Sequence, residues 1–423
     1  MRTLGLTLFG ALALLGLAGC GGGTPPPANS ITLTVVDSQS AGYAAAYQVG
    51  NGPWIAFTPS SAHTYTFTLG SNTKYGVAVR CNPAVPLTPP EVHVIQATSA
   101  ELSNPKVTCS TPNPSPVTYT LNVDVSAVPG VASGDVVTVS GSGYSAGSSV
   151  ANPANPIPVG LYQPPGSQDL LVTVWSGAQF RAAKVLRNVN VIASGSSGAT
   201  LSAGDALPLA TVNTALPAGF TPTFGAGRVE YFSQDNKGSG VVGNASGTSA
   251  LSFTYRPVSG FASGDRYVAV GIAYDSSNVL ERFRGFTTGN VSLALPSPWP
   301  TGSLTVTCVA HPTVTGLIYA DPNVRAYEIV LEDATLVYRV TLGKGWLGSS
   351  SSYSVPDLSS QLGYSPFAPW TTVYVSISAL LSPQPVLGLD KNDPASFTGA
   401  TDISLVHASD QYVLSNTGNI TLP

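Results

Sequence analysis

The stretch KYGVAVRC, residues 74–81, has the alternation of side chains that decides the fold. Every second residue of an extended strand lies on one face, and here that face carries Tyr75, Val77, Val79 and Cys81. The later stretch KVTC, residues 106–109, places Val107 and Cys109 on one face in the same way. Both sulfurs are expected to point into one core. The sequence therefore predicts a disulfide between Cys81 and Cys109, which is typical of an oxidising compartment.

The same alternation, in segments rich in Val, Thr, Tyr and Ile, recurs along most of the chain and predicts strands. Residues 31–110 hold about seven such segments, with Asn51-Gly52 as a hairpin turn, and this predicts an immunoglobulin-like sandwich. The order of these strands resembles small β-sandwich modules of uncharacterised bacterial surface lipoproteins. That resemblance covers a fifth of the chain and carries over no catalytic residue.

Proline-rich stretches divide the chain, because proline disrupts helices and cannot donate a hydrogen bond within a sheet. We predict an all-β chain of tandem immunoglobulin-like β-sandwich modules. The predicted bounds are 31–110 for a β-sandwich with the disulfide, 111–117 for a Pro-rich linker, 118–216 for a second β-sandwich, 217–296 for a third β-rich module, 297–302 for a linker and 303–423 for a C-terminal β-rich module.

Two local patterns, a short repeat and a helix signal, add to this prediction. GVASGDVVTV at 130–139 and GFASGDRYVAV at 260–270 share a turn followed by a strand. Either a duplicated module or a common turn-plus-strand solution explains them. DLSSQLG at 357–363 is the best helical candidate, with Asp357 as its cap and Gly363 at its end.

The N-terminus has the pattern of a secretory signal. Arg2 precedes an apolar run over residues 4–17, which is shorter than the about 20 residues that span a bilayer. Leu17-Ala18-Gly19-Cys20 then resembles the bacterial lipobox. The resemblance implies removal of residues 1–19, a diacylglyceryl group on the Cys20 sulfur and an acyl chain such as palmitate on its amino group. The alternative is a plain signal peptide with a chance cysteine.

The anchor predicts where the protein is found. Residues 20–30, rich in glycine and proline, form a lipid-anchored linker that holds the first module off the membrane. Under the sorting rule of enteric bacteria, Gly21 favours the outer membrane or cell surface over the inner membrane. We therefore expect an extracytoplasmic, membrane-anchored lipoprotein.

Composition excludes one class of partner. Charged residues make up 9% of the chain, its net charge is −4, and lysine and arginine form no cluster. Because nucleic-acid binding needs a basic footprint, we expect no nucleic-acid partner.

Cys308 lies in SLTVTC with apolar neighbours on its face. It is predicted to be a buried free thiol, with a reactive or intermolecular role as the alternative.

Signals for catalysis and metal binding are weak. GYSAG at 143–147 matches a nucleophile elbow around Ser145, but prolines follow it where the elbow needs a helix. We therefore predict a loop serine. The histidines are scattered, without the spacing of metal ligands. Asp390 to Asp393 could hold a structural Ca²⁺, or form a solvated turn. We predict no cofactor beyond the lipid on Cys20, no metal and no catalytic residue.

Two aromatic loops near the C-terminus are the candidate binding site. They are GKGWLGSSSSY at 343–353 and YSPFAPW at 364–370, and their candidate binding residues are Trp346, Tyr353, Tyr364 and Trp370. Exposed tryptophan and tyrosine contribute strongly to binding. The alternative is that Trp346 and Trp370 plug the ends of a sandwich. Trp299, between prolines, is expected at an inter-domain contact.

These patterns predict a cell-envelope lipoprotein that is not an enzyme. Its expected role is a structural or protein-binding scaffold, a rod whose distal C-terminal module meets an envelope protein or glycan. One alternative is a lipoprotein that binds carbohydrate or peptidoglycan. The other is a serine hydrolase that acts through Ser145.

Overall fold

The computed structural model describes residues 29–422 except 84, 86, 87, 112–114, 143, 178, 249–251, 390–395 and 416. Strands dominate these residues, and the predicted all-β class with immunoglobulin-like sandwiches is confirmed. Within them, no helix has the length and apolar character needed to cross a membrane. The predicted domain bounds and the signal and linker segments stay predictions.

The first sandwich and the second sandwich each contain seven strands. The first sandwich comprises β1 Ser30–Asp37, β2 Tyr43–Val49, β3 Ile55–Ala56, β4 Thr64–Thr68, β5 Lys74–Cys81, β6 Glu91–Thr98 and β7 Lys106–Ser110. The second sandwich comprises β8 Val117–Asp124, β9 Val136–Ser140, β10 Ser145–Ser149, β11 Ile157–Gln163, β12 Gly166–Ser176, β13 Gln179–Val191 and β14 Gly195–Thr200.

The rest of the chain forms the third sandwich and the fourth sandwich, joined to the second by a 3₁₀ turn at Ala203–Asp205. The third comprises β15 Ala210–Ala215, β16 Phe224–Phe232, β17 Ser239–Gly247, β18 Ser252–Tyr255, β19 Arg266–Tyr274, β20 Asn278–Phe286 and β21 Val291–Ala294. The fourth comprises β22 Leu304–Thr307, β23 Thr313–Thr315, β24 Val324–Glu332, β25 Val337–Gly343, α1 Lys344–Leu347, β26 Ser352–Ser354, α2 Ser359–Leu362, β27 Thr372–Leu381, β28 Asp402–Val413 and β29 Asn419–Leu422.

Three of the sandwiches share one sheet. Its 12 strands run in the order β17-β16-β19-β20-β28-β27-β24-β25-β6-β5-β2-β3. The third sandwich supplies the first four of these strands, the fourth sandwich the middle four and the first sandwich the last four. Smaller sheets cover it: β4-β1-β7 in the first sandwich, β18-β15-β21 in the third and β26-β23-β22-β29 in the fourth.

Two strand pairings join the three sandwiches. At the first–fourth joint, β6 and β25 pair in parallel from Glu91↔Val337 to Gln96↔Leu342. At the third–fourth joint, β20 and β28 pair antiparallel from Asn278↔Ala408 to Arg284↔Asp402. The fourth sandwich therefore lies between the other two. The expectation of a rod with a distal C-terminal module is wrong, because hydrogen-bonded strands flank that module on both sides.

Strands β5 and β6, beside the first–fourth joint, bury apolar residues on both faces, as expected for strands that are covered on both sides. In β6, Val92 and Val94 belong to the core of the fourth sandwich, whereas Ala97 belongs to the core of the first. In β5, Ala78 and Val79 divide between the same two cores. The cores of the first and fourth sandwiches thus lie on opposite faces of one sheet.

The second sandwich keeps its own sheets, β10-β9-β12-β13 and β11-β8-β14. The outer face of the former packs on the third sandwich, where Leu171, Ala183 and Val185 enter the core built around Tyr231. Beside this apolar contact, Arg187 of the second sandwich binds Asp265 of the third in an ion pair. The carboxylate of Asp265 is fully buried. Its negative charge is therefore costly to keep in the protein unless Arg187 pairs with it.

The structure tests the predictions for the short repeat, the helix at 357–363 and the hairpin at Asn51-Gly52. The short repeat is confirmed as a turn followed by a strand, and in each copy a buried aspartate, Asp135 or Asp265, accepts a hydrogen bond from the amide three residues earlier. The predicted helix is a single turn that ends at Gly363 in the left-handed conformation. The predicted hairpin joins β2 and β3, but its positive φ falls on Gly50 and not on Asn51.

The outer faces of the smaller sheets are polar although they carry few charged residues. Their outward positions carry hydroxyl side chains, as in β1 and β4, where the hydroxyls of Thr32 and Thr66 lie 3.1 Å apart. Thr313 and Ser354 repeat this arrangement on the fourth sandwich at 2.9 Å. Threonine suits a half-exposed strand, so these faces remain polar without charge.

Candidate functional site

The first aromatic loop lies at the first–fourth joint. Trp346 is half-buried on α1, and its ring meets that of Tyr353 edge-on at 6.0 Å between centroids. The ammonium group of Lys74, from the first sandwich, lies 5.5 Å from the centre of the Trp346 ring. Glu101 of the first sandwich accepts a hydrogen bond from the amide of Gly345. This loop therefore packs against the first sandwich.

A buried chain of hydrogen bonds crosses the same joint. The hydroxyl of Tyr353 donates to Oε1 of Gln96 at 2.6 Å. Nε2 of Gln96 donates to Oε1 of Gln48 at 2.8 Å, and Nε2 of Gln48 donates to the carbonyl of Gly52 at 2.8 Å. Tyr353, Gln96 and Gln48 are all buried, and burial raises the pKa of the Tyr353 hydroxyl. A tyrosine of the fourth sandwich thus completes a polar network of the first.

Charged groups reinforce the edge of the joint. Oε2 of Glu91 lies 3.3 Å from Nε2 of His93 and 3.4 Å from Nε of Arg339 on the fourth sandwich. The hydrogen bond from His93 and the charge of Arg339 hold the pKa of Glu91 below its usual value, despite its partial burial. Arg80 of the first sandwich donates to the carbonyl of Gly363.

The second aromatic loop is mostly core. The Tyr364 ring is buried among the fourth-sandwich residues, and its hydroxyl accepts a hydrogen bond from the amide of Leu358 at 3.1 Å. Trp370 is 76% exposed, in a turn with φ of 67°. Of the four candidate residues, Tyr353 and Tyr364 are buried and Trp346 packs at the joint, so no ligand can stack freely on those three. Only Trp370 presents a free ring, and it does not plug a sandwich end.

The cysteines lie as the sequence predicted. Cys81 on β5 and Cys109 on β7 form a disulfide that links the two sheets of the first sandwich. Cys308 is a free, buried thiol. Burial raises the pKa of this thiol, which favours its protonated form.

Within the described part of the chain, no histidine or carboxylate is hydrogen-bonded to the Ser145 side chain. Ser145 begins β10, an edge strand paired with β9, and its side chain is exposed. The expected loop position was wrong, but the absence of a following helix was correct. A different serine, Ser378, bonds Nδ1 of His407 at 2.6 Å, and the other ring nitrogen lies 3.7 Å from Glu281. Ser378 is 1% exposed, so no substrate reaches this hydroxyl.

The other histidines have separate partners. Nδ1 of His63 lies 2.8 Å from the hydroxyl of Tyr43, which in turn lies 2.9 Å from that of Tyr65. His311 lies 3.6 Å from Asp357. Among the described residues, no group of three or more histidine, cysteine or acidic side chains is placed to hold a metal ion. The Ca²⁺ prediction at Asp390 to Asp393, like the lipid prediction at Cys20, falls outside the described residues.

Trp299 is buried in the core of the fourth sandwich, so the inter-domain contact expected for it stays a prediction. It is 2% exposed in the fourth core, and its Nε1 donates to the carbonyl of Val406 on β28 at 3.0 Å. Its ring packs edge-on against Tyr319 at 5.1 Å. Since β28 is the strand that pairs with the third sandwich, the connection between the two sandwiches is fixed beside their joint.

Two buried glutamines are a signal of the first–fourth joint that is present in the sequence. Gln48 and Gln96 are polar residues at buried positions of β2 and β6. Such residues need buried partners, and one partner of Gln96, Tyr353, comes from the fourth sandwich. The apolar residues on both faces of β5 and β6 carried the same information.

Comparisons with known proteins find no matching family model and no matching curated protein. Among solved structures, a candidate adhesin of Bacteroides ovatus is 8% identical, with 44% of this chain and 94% of that chain covered and a TM-score of 0.19. A streptococcal ancillary pilin is 10% identical, with 62% and 89% covered and a TM-score of 0.18. The TIE protein of Bacillus anthracis is 9% identical, with 63% and 50% covered and a TM-score of 0.15. Likenesses this low carry no argument about this chain.

Proposed function

We propose that the protein is a non-enzymatic scaffold of the cell envelope that binds another envelope protein. The observation that carries this proposal is the 12-stranded sheet shared by three sandwiches. Domains of one chain generally move relative to one another unless their interface is large and apolar. Here hydrogen-bonded strand pairs and a common core replace hinges at both joints. Such a body holds binding surfaces at fixed distances, as a scaffold requires.

The proposed attachment is a lipid on Cys20, with residues 20–30 as the tether. Several acyl chains on one residue give stable anchoring, whereas a single chain gives marginal binding. The disulfide supports an extracytoplasmic location, because such bonds persist in oxidising compartments. We place the protein at the outer membrane or cell surface.

The partner is proposed to bind the exposed hydroxyl-rich faces or the loop around Trp370. Trp370 is the most exposed of the large apolar side chains in the described residues, and tryptophan is frequent among residues that dominate binding energy. The buried aromatic residues at the first–fourth joint have a structural role in this proposal.

The test is purification of the tagged, acylated protein from its native envelope in mild detergent, followed by mass spectrometry. We expect one stoichiometric partner, and a Cys20→Ser variant that neither incorporates labelled palmitate nor stays in the membrane fraction. Trp370→Ala serves as the surface variant, and Tyr162→Ala, at another exposed aromatic position, as its matched control. A clean monomer without a partner contradicts the scaffold proposal, and a membrane-bound, unlabelled Cys20→Ser variant contradicts the anchor.

A further inference from the structure

A cleft lies at the packing contact between the second sandwich and the third sandwich. Its volume is about 320 Å³, at the lower end of the about 300–1,000 Å³ typical of ligand pockets, which often lie between domains. One wall is the outer face of β9, β10 and β12, and the other is formed by β16 and β17. We propose that this cleft binds a neutral saccharide of one or two rings. The site is additional to the scaffold function and does not depend on it.

The second-sandwich wall follows from strand alternation. Val137 and Val139 point into the core of this sandwich, so Thr138 and Ser140 point outward into the cleft. On the neighbouring strand β12, Trp175 also points outward. A face that combines hydroxyl groups with one large ring results.

The aromatic part of the wall is held in place. The Trp175 ring stacks on that of Phe180, with centroids 5.2 Å apart and planes at 10°. Its Nε1 donates to the hydroxyl of Thr138 at 2.9 Å. Phe180 is buried, whereas Trp175 is half-exposed at the cleft. A fixed flat ring is suited to packing against the apolar face of a sugar, because it loses little side-chain entropy on binding.

The third-sandwich wall supplies polar groups at close range. Glu230 and the exposed amide of Asn244 line it. The walls approach closely because Gly240 has no side chain: a Cβ there would lie 2.8 Å from Leu171 and 2.9 Å from Ser140. Hydroxyl and amide groups from both walls can therefore reach one small ligand.

The chemistry of the lining selects the class of ligand. None of the described residues that line the cleft is lysine or arginine, so phosphate or other anionic groups lack a partner. Glu230 lies 3.5 Å from Arg228, which balances its charge. What remains is a ring for stacking and a set of neutral hydrogen-bonding groups, which matches the apolar faces and hydroxyl edges of a saccharide.

The test uses the acylated full-length protein, captured in mild detergent for surface plasmon resonance, with cellobiose, maltose and N,N′-diacetylchitobiose as probes. We expect at least one disaccharide to bind with a millimolar or lower Kd. Trp175→Ala weakens this binding at least tenfold, and Asn244→Ala, which removes an exposed amide from the cleft wall, weakens it at least threefold. Trp370→Ala, on the fourth sandwich, leaves it unchanged.

The proposal is overturned if none of the three disaccharides binds. It is also overturned if binding survives both Trp175→Ala and Asn244→Ala, or if Trp370→Ala removes it. Because the partner purification concerns other surfaces, failure here leaves the scaffold proposal standing, and a missing protein partner leaves the cleft proposal standing.

Discussion

Tyr353→Phe tests whether the first and fourth sandwiches act on each other's stability. The substitution removes the hydroxyl that donates to Gln96 at 2.6 Å and leaves a buried acceptor without its donor, at a cost of about 1–3 kcal/mol. Gln96→Leu removes the acceptor and also the donor to Gln48, so a similar cost of about 1–3 kcal/mol is expected. In the double variant the Tyr353 hydroxyl has already lost its partner. Its removal is then nearly free, and the double variant costs about 1–2 kcal/mol less than the sum of the two singles.

The assay is equilibrium unfolding in urea, with the free energy of unfolding measured for the wild type, both singles and the double variant. Tyr412→Phe provides a matched control, because this buried hydroxyl donates to the carbonyl of Val309 at 3.1 Å within the fourth sandwich. Combined with Gln96→Leu, it is expected to add within about 0.5 kcal/mol. If Tyr353→Phe and Gln96→Leu are also additive, the two sandwiches are not coupled and the reasoning is refuted.

Three further predictions concern other parts of the molecule. Replacing Cys81 and Cys109 by alanine should cost about 3–4 kcal/mol in free energy of unfolding, from the loop-entropy relation applied to a separation of 28 residues; a loss below about 1 kcal/mol in urea unfolding contradicts it. Arg187→Met leaves the carboxylate of Asp265 buried without its ion-pair partner and should cost about 3–5 kcal/mol, measured in the same way, whereas an unchanged stability refutes the role of this pair. The hydrogen bond from His93 is the main cause that holds the folded-state pKa of Glu91 below its usual value of 4.5. The contribution of Glu91 to stability is therefore fully present above that value and is lost as the pH falls through the folded-state pKa. Glu91→Gln should therefore lower the Tm at pH 7 and narrow the difference between the Tm values at pH 7 and pH 3, and a difference equal to that of the wild type contradicts the assignment.

Strand alternation was sufficient to predict which side chains of a strand are buried within its sandwich. Tyr75, Val77 and Cys81 share a buried face as expected, because period-two patterning depends only on the geometry of a single strand. The disulfide followed from the same geometry, since both cysteines lie on inward faces. The fold class and the buried state of Cys308 therefore needed no information about other modules.

Local patterns indicate that β5 and β6 are covered on both faces, but they do not identify the sandwich that covers them. Strands β6 and β25 are separated by more than 200 residues, and no local pattern states which edges pair. The aromatic loop around Trp346 has the composition of a binding loop, yet the Trp346 ring packs at the joint with the first sandwich because burial of apolar surface is favourable. Trp370 is exposed at the surface and Trp175 is half-exposed at the cleft, whereas Trp346 packs against the first sandwich. This difference depends on the tertiary fold and cannot be seen in the local sequence.

Hydrogen–deuterium exchange at the joints tests the central claim, the shared sheet, most directly. A strand at a free edge exchanges its outward amides quickly, whereas a strand paired on both sides is protected. The account predicts that peptides covering β6, β25, β20 and β28 exchange as slowly as those covering β5 and β27, and much more slowly than the edge strand β3. Rapid exchange in β6 and β25, or in β20 and β28, at rates like that of β3 would show that the sandwiches are separate and that the shared sheet does not exist.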